Sequence, residues 1–357
     1  MAIRSTVFAC ALTAGFASSA AGADTAEDFY RGKTIDYIVP TSPGGDYDLR
    51  SRLMARHFPR LIPGNPQIVV RNMPGGLGIA AANYLAKVAP REGTVLHTIF
   101  QNMPTLQAIG AKEVQFDVRE FGWIGNTTNT PNVINSWHTT GITKIEDVFT
   151  KELVVGAPGA ASSSYVYPAA MNAVLGTKFR IVTGYPGGND VNLAMERGEV
   201  GGRGSNSWAS WKSGHPQWLA EKKIHILVQV ALERAPDLKD VPLMHELANN
   251  EEDREVLRFI SSDMGISRAV VTTPGVPAER LTALRRAFDA MVKDAEFLAD
   301  AGKTKMDISP STGEQAQEVA ESMLKASPRV LESARTLIQG NEFTCPEATP
   351  RPAIILT

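Results

Sequence analysis

The residues best placed to do chemistry lie in two Gly-Gly turns, each set between a β-prone run and the start of a helix. The first is Val39-Pro40-Thr41-Ser42-Pro43-Gly44-Gly45-Asp46-Tyr47-Asp48, which follows the apolar run from Ile35. The second is Gly184-Tyr185-Pro186-Gly187-Gly188-Asn189-Asp190, which follows Phe179-Arg180-Ile181-Val182. A strand that feeds a glycine turn leaves the first N–H groups of the next helix without partners. With the helix dipole, those groups make a site for an anion. Thr41 and Ser42 add hydroxyl donors, and Gly44 and Gly45 let a ligand approach the backbone closely. Tyr185, Gly187, Gly188 and the Asn189 amide play the same part in the second turn. Two such turns far apart in the chain predict two lobes facing one ligand.

Other polar residues extend this set. The loop from Ala157 to Tyr165 carries Ser162, Ser163 and Ser164 to the start of a helix. One serine can cap that helix while a neighbour meets a carboxylate at the same end. Arg203, in Gly202-Arg203-Gly204-Ser205-Asn206, is read at a strand end, where its fork can pair a carboxylate bidentately or form a surface ion pair. Gln101 with Asn102, and Asn126 with Thr127 and Thr128, are amide and hydroxyl contacts near strand ends. Trp208, Trp211 and Trp218 either pack against a ligand's apolar body or belong to the core. Two acids oppose an anion in the first turn. Asp46 is read as the helix N-cap. Asp48 either braces the first helical turn or accepts from a ligand hydroxyl, amine or protonated acid.

Catalytic constellations do not emerge. The six histidines are scattered without metal-ligand spacing,. No nucleophile elbow is present, and the Gly44-Gly45 turn lacks the Lys-Ser/Thr of a P-loop and the spacing of a dinucleotide fingerprint. The reading is a binder with no catalytic residues, no metal and no cofactor.

The elements that position these residues follow from periodicity and composition. The chain has 357 residues, 43% hydrophobic and 21% charged, with a net charge of -2. That length suits two domains, and the charge implies no broad basic surface for nucleic acid. Residues 35–40, 67–71 and 94–100 read as strands, each followed by a turn and a helical pattern. Leu49, Leu53, Met54 and Phe58 fall on one helical face after the first strand, and Ile79–Val88 is the next helix. This alternation predicts a largely parallel sheet covered by helices. A strand near 121–126 leaves the first lobe. Leu153–Gly156, Phe179–Val182 and Ile224–Val230 are strands beyond it. From Ala278 onward the pattern is helical, with Leu281, Leu284, Phe288 and Met291 on one face.

The beginning of the chain reads as a secretory signal peptide. Arg4 is its positive region, Val7 to Phe16 its apolar run, and Ala21-Gly22-Ala23 its cleavage site,. That run is too short to span a membrane, and no later segment is apolar enough. Cleavage would remove Cys10 and leave Cys345 as the lone cysteine, which cannot form an internal disulfide. The expected location is the periplasm, with the protein not embedded in a membrane. The tail from Cys345 to Thr357 is read as extended.

The ordered motifs also carry a family likeness. Val39-Pro40-x-x-Pro43-Gly44-Gly45-x-x-Asp48-x-x-x-Arg52 resembles the first signature of the substrate-binding proteins of tripartite tricarboxylate transporters, the TctC or Bug family. Val70-x-Asn72-x-Pro74-Gly75-x-x-Gly78 resembles the second. Gly184-Tyr185-x-Gly187-Gly188 followed by Arg197-Gly198-Glu199-Val200, and Val241-Pro242-Leu243 with Glu246, resemble segments of the second half. The likeness covers residues 29–300. It departs at Gly156-Ala157-Pro158-Gly159, where the family's serine- and histidine-bearing loop carries no histidine here, and at Arg91-Glu92-Gly93-Thr94.

What the resemblance implies is an α/β, two-lobed Venus flytrap with two crossing hinge strands. It also implies capture of a small organic carboxylate (a dicarboxylate or an aromatic acid) and delivery to a membrane permease of the same transporter type. A monomer, the usual condition of such flytraps, is expected. Residues 1–23 are the signal, 24–126 and 231–311 the first lobe, 127–230 the second, and 312–357 a C-terminal helix and tail. The rival readings are an adaptor that presents its ligand to a membrane sensor kinase, and a secreted hydrolase or lyase.

Overall fold

The computed structural model describes residues 25–160 and 162–339. The signal peptide and the tail with Cys345 lie outside the described residues. The chain opens with α1 (Ala26–Tyr30), whose first turn is capped by the Thr25 hydroxyl, and β1 (Thr34–Val39). It continues through α2 (Asp46–His57), β2 (Gln67–Asn72), α3 (Ile79–Lys87), β3 (Val95–Thr98), α4 (Met103–Ala108) and β4 (Gly122–Asn126). Val39, Ile38, Tyr37 and Ile35 are all buried, as suits a strand covered on both faces,. β1 lies parallel to β2 on one side and to β3 on the other.

After Asn126 the chain passes to a second sheet. Its elements are β5 (Asn132–Trp137), β6 (Leu153–Gly156), α5 (Ser163–Leu175), β7 (Phe179–Val182), α6 (Gly188–Glu196), β8 (Gly202–Ser207), α7 (Trp208–Gly214), α8 (Pro216–Ala220) and β9 (Ile224–Val230). The strand order is β7-β6-β8-β5-β9, with β5 antiparallel to both neighbours. Beyond β9 the chain returns through α9 (Glu251–Ser261) to β10 (Ala269–Thr272), then α10 (Ala278–Met291), α11 (Ala295–Lys303), β11 (Ser311–Thr312), α12 (Gly313–Met323) and α13 (Pro328–Gln339). β10 and β11 complete the first sheet, ordered β11-β4-β10-β3-β1-β2, and β10 runs antiparallel between β3 and β4. The molecule is thus a two-lobed α/β fold.

Helices cover each sheet on both faces. Leu53, Met54 and Phe58 of α2 pack with Leu284, Phe288 and Met291 of α10 on one face of the first sheet. Leu281 is partly buried in the same cluster. Leu49 departs from the expected face: it is 51% exposed, because α2 turns this position toward the gap between the lobes. The largest apolar cluster joins the lobes, taking Ile38, Leu85 and Trp123 from the first and Ile134, Val155 and Tyr167 from the second. Trp208, Trp211 and Trp218 form the core on the remaining face of the second sheet, with Trp137 and Val191. The three tryptophans are therefore core residues. The Trp208 indole donates to Asp237 at 2.9 Å.

The two crossing segments bind each other. The Asn126 side chain donates to the Thr128 carbonyl and to the Gly265 carbonyl, and its oxygen accepts from the Arg268 amide at 2.9 Å. Ser267 donates to the Thr128 carbonyl at 2.7 Å. Asn126 was expected at the ligand; it instead ties the crossings together, because its amide can serve both segments at once.

Phe288 holds the first lobe's helical cover to its sheet. It is fully buried, and its ring occupies the space where a side chain at Gly125 of β4 would lie. We expect Phe288→Ala to cost about 3–5 kcal/mol in urea unfolding. A loss below about 1 kcal/mol would contradict this packing.

Candidate functional site

A cavity of about 640 Å³ lies between the lobes. The first lobe contributes Pro40 to Pro43, Gly45 to Tyr47, Phe100 to Asn102, and Thr105. The second contributes Ser162, Ser163, Ser164, Tyr167, Gly187 to Asn189, and the β8 residues Arg203 and Ser205 to Ser207. Asn132, Asp263 and Arg268 line it from the crossing region.

Arg203 is the second residue of β8, near the strand's beginning. One guanidinium nitrogen donates to the Asn192 side chain of α6 at 3.1 Å, and the ring of Trp211 lies 5.7 Å below. Its Nε is buried without a hydrogen-bond partner. Among the described residues no carboxylate pairs with it. Burial pulls its pKa down to about 10, so it is cationic at neutral pH. Gly188 makes its position possible: a Cβ there would sit 2.1 Å from a guanidinium nitrogen. The α6 N-terminus and the guanidinium thus meet at one place.

The N-termini of α5 and α6 both lack a side-chain cap. Ser162 occupies the N-cap position of α5, but its hydroxyl donates to the Gly159 carbonyl at 2.6 Å. It does not act as the expected cap. Ser164 is buried and donates to the Ser205 carbonyl at 3.1 Å, which fixes α5 against β8. Ser163 and Asn189 also line the cavity. Positive helix ends and a cation therefore converge on the second-lobe wall, where Asp190 in the first turn of α6 also lines the cavity,.

The first-lobe wall is different. Gly45, not Asp46, is the N-cap of α2, and Asp46 begins the helix. Asp46 pairs with Arg268 at 2.5 Å and with Arg50 at 3.5 Å. Burial pushes the Asp46 carboxyl up, and Arg268 and Arg50 more than offset it, leaving it at about 2. Asp46 thereby cancels Arg268, whose guanidinium stacks on Tyr47 at 4.1 Å. What this wall offers is neutral: Ser42, Asn102, and the buried Thr41 hydroxyl, which has no hydrogen-bond partner.

Thr41, Ser42, Gly45, Asn102, Ser162, Ser163, Ser164, Gly187, Gly188, Asn189 and Arg203 are thus brought together as expected from the sequence. Four others are not. Asp48 is 1% exposed and turned inward, where it accepts from the Gly44 amide at 2.9 Å, Asn72 at 2.8 Å and Arg52 at 2.9 Å. It braces the first turn. Gly44 faces a smaller neighbouring cavity of about 360 Å³. Tyr185 packs with Val191 in the second lobe's core. Asn126 holds the crossings.

Sequence reading missed Tyr47, Tyr167, Asp263 and Arg268. Tyr47 lies within the first Gly-Gly turn but has no donor role legible there; the other three carry no local motif, and only the fold brings them to the cavity. Asp263 is 4% exposed; the Tyr167 hydroxyl donates to it at a long 3.4 Å, and Gln101 is its other side-chain hydrogen-bond partner. Burial raises its carboxyl to about 7, with Tyr167 and Gln101 countering in part. Elsewhere, His57, Asp294 and Glu296 converge, but Arg60 already bonds all three.

No protein-family model and no curated protein matches the chain. Solved structures do. A TctC solute-binding protein from Polaromonas, crystallised without ligand, superposes with a TM-score of 0.63 at 20% identity, over 87% of this chain and 99% of its own. A Rhodopseudomonas palustris protein solved with adipate gives 0.63 at 19%, over 85% and 97%. MatC of Rhodopseudomonas palustris, solved with malate, gives 0.62 at 19%, over 85% and 99%. At such identities the likeness speaks for the fold, that of two-lobed periplasmic binding proteins.

Asp263 gives the site a pH signature. Its folded-state pKa lies above the ordinary value, so the folded protein keeps a proton that the unfolded chain has released. The stability lost by ionising it grows as pH rises from about 4 to about 7 and is complete above that. Without added ligand, the melting temperature of Asp263→Asn relative to wild type is expected to climb across that window and then level. A difference independent of pH would contradict the buried, unpaired carboxyl.

Proposed function

We propose that this chain is an extracytoplasmic solute-binding protein of the TctC or Bug kind, which captures a small organic carboxylate between its lobes. The observation that carries this reading is the unpaired Arg203 guanidinium, set beside the uncapped N-termini of α5 and α6 in the inter-lobe cavity. A half-buried cation without a counter-ion pays a desolvation cost that an entering anion relieves,. The amides at the helix ends point the same way. The carboxylates bound by the superposing proteins support the same ligand class.

The rest of the proposal follows the family resemblance. Residues 1–23 export the chain to the periplasm. Lobe limits fall at 126/127 and 230/231, with 312–357 as the C-terminal helix and tail. Closure of the lobes excludes water and strengthens each hydrogen bond to the anion. The closed monomer then docks to a permease of the tripartite tricarboxylate type and releases its cargo, with no chemical turnover. No helix among the described residues is long and apolar enough to cross a membrane, which accords with delivery to a separate membrane partner.

Calorimetric titration against aliphatic diacids, aromatic acids and amino acids tests the reading. One acid class is expected to bind, and Arg203→Gln is expected to weaken it about ten- to hundredfold, the worth of one buried bond to a charged group. Binding of an acid with unchanged affinity in Arg203→Gln would overturn the role of Arg203. Failure of every acid, with no acid released on unfolding the purified protein, would overturn carboxylate capture itself.

A further inference from the structure

Besides Asp190, which lines the cavity from the first turn of α6, two ionisable groups of opposite sign face it with no ion-pair partner among the described residues. Arg203 is the cation. Arg268 does not add to it, because Asp46 neutralises it. Asp263 is the acid, which burial keeps protonated up to about pH 7 and which a neighbouring cation would ionise,. It lines the same cavity from the turn after α9, and among the described residues no lysine or arginine pairs with it.

The groups around Asp263 are poor partners for a carboxylate. The Tyr167 hydroxyl reaches it only at 3.4 Å. Gln101 points its amide nitrogen at the Tyr167 oxygen, also at 3.4 Å, and its oxygen lies 3.5 Å from Arg268. The Tyr47 hydroxyl is committed to the Ser267 carbonyl at 3.1 Å. A buried carboxylate so weakly bonded costs free energy that a strong, charged donor would relieve. An ammonium offers three N–H donors and a full positive charge. A second carboxylate at this place would instead meet like charge.

We propose that the ligand is zwitterionic: an amine-bearing carboxylic acid whose carboxylate meets Arg203 and whose ammonium meets Asp263. This rests on the carboxylate reading of the same cavity and narrows it. One molecule then compensates both charges, and Asp263 becomes the residue that separates amino acids from plain acids and diacids. Discrimination of this kind is strong, because an analogue without the amine leaves a buried group unpaired.

Calorimetric titration of the full mature protein with matched acids tests this. The probes are butyrate, α-aminobutyrate, γ-aminobutyrate and succinate, and phenylpropanoate beside phenylalanine. At least one amine-bearing acid is expected to bind about tenfold or more tighter than its amine-free counterpart, the gain of one charged hydrogen bond. Asp263→Asn is expected to shrink that ratio to about threefold or less, and Asp263→Glu to retain part of it. Tighter binding of succinate or of the amine-free acids, with dependence on Arg203, would overturn the zwitterion while leaving carboxylate capture intact. An amine preference that persists in Asp263→Asn would overturn the role of Asp263. If Asp263→Asn does not fold, the wild-type ranking together with Asp263→Glu decides. Binding of none of the probes, with no acid released on unfolding, would overturn the parent reading and this one together.

Discussion

A guanidinium held in a cleft with no ion-pair partner among the described residues is the constraint on which the rest of the site depends. Arg203 leaves β8 beside the first turn of α6, and Gly188 supplies the room. Asn192, one turn further along α6, takes one of its hydrogens, and Trp211 lies beneath it. None of these neighbours neutralises the charge. Protein interiors tolerate such an arrangement only at a cost, and sites that bear the cost are commonly those that bind. The uncapped ends of α5 and α6 add partial positive charge of the same sign.

The two walls divide the work unequally. The second lobe carries Arg203 and the starts of α5 and α6, with Asp190 as the opposing acid. In the first lobe Asp46 lies between Arg268 and Arg50, with Asp307 as a second acid beside Arg50, and the wall presents neutral donors from the Thr41-Ser42 loop and Asn102. An anion is therefore attracted to one lobe and enclosed by the other. The crossing segments lie beside this enclosure and are cross-bonded through Asn126 and Ser267, so lobe movement and cavity geometry share the same few residues.

Much of this was legible in the sequence where the physics is local. Each strand, glycine turn and helix start is a short-range unit, so the loops at 41–48, 157–165 and 184–190 and most helices could be placed. Asp48 shows the limit of that approach: one acid near a helix start serves equally as brace or contact, and only the Gly44 and Asn72 bonds decide. Non-local pairs left no trace. Asp46 and Arg268 are 222 residues apart, and nothing near either predicts the other. β5 escaped because Asn132, Asn135 and Ser136 make it polar in sequence, although all three are buried. Asp263 sits in a turn with no motif, and its importance comes wholly from burial.

The central claim is that the inter-lobe cavity seats a carboxylate against Arg203 and the starts of α5 and α6. A crystal structure of the protein with its tightest-binding acid tests this most directly. The account predicts the ligand's carboxylate within hydrogen-bond distance of the Arg203 guanidinium and of backbone amides at Ser163–Ser164 or Gly188–Asn189. A carboxylate directed to solvent or to the first-lobe wall, with Arg203 unengaged, would contradict it.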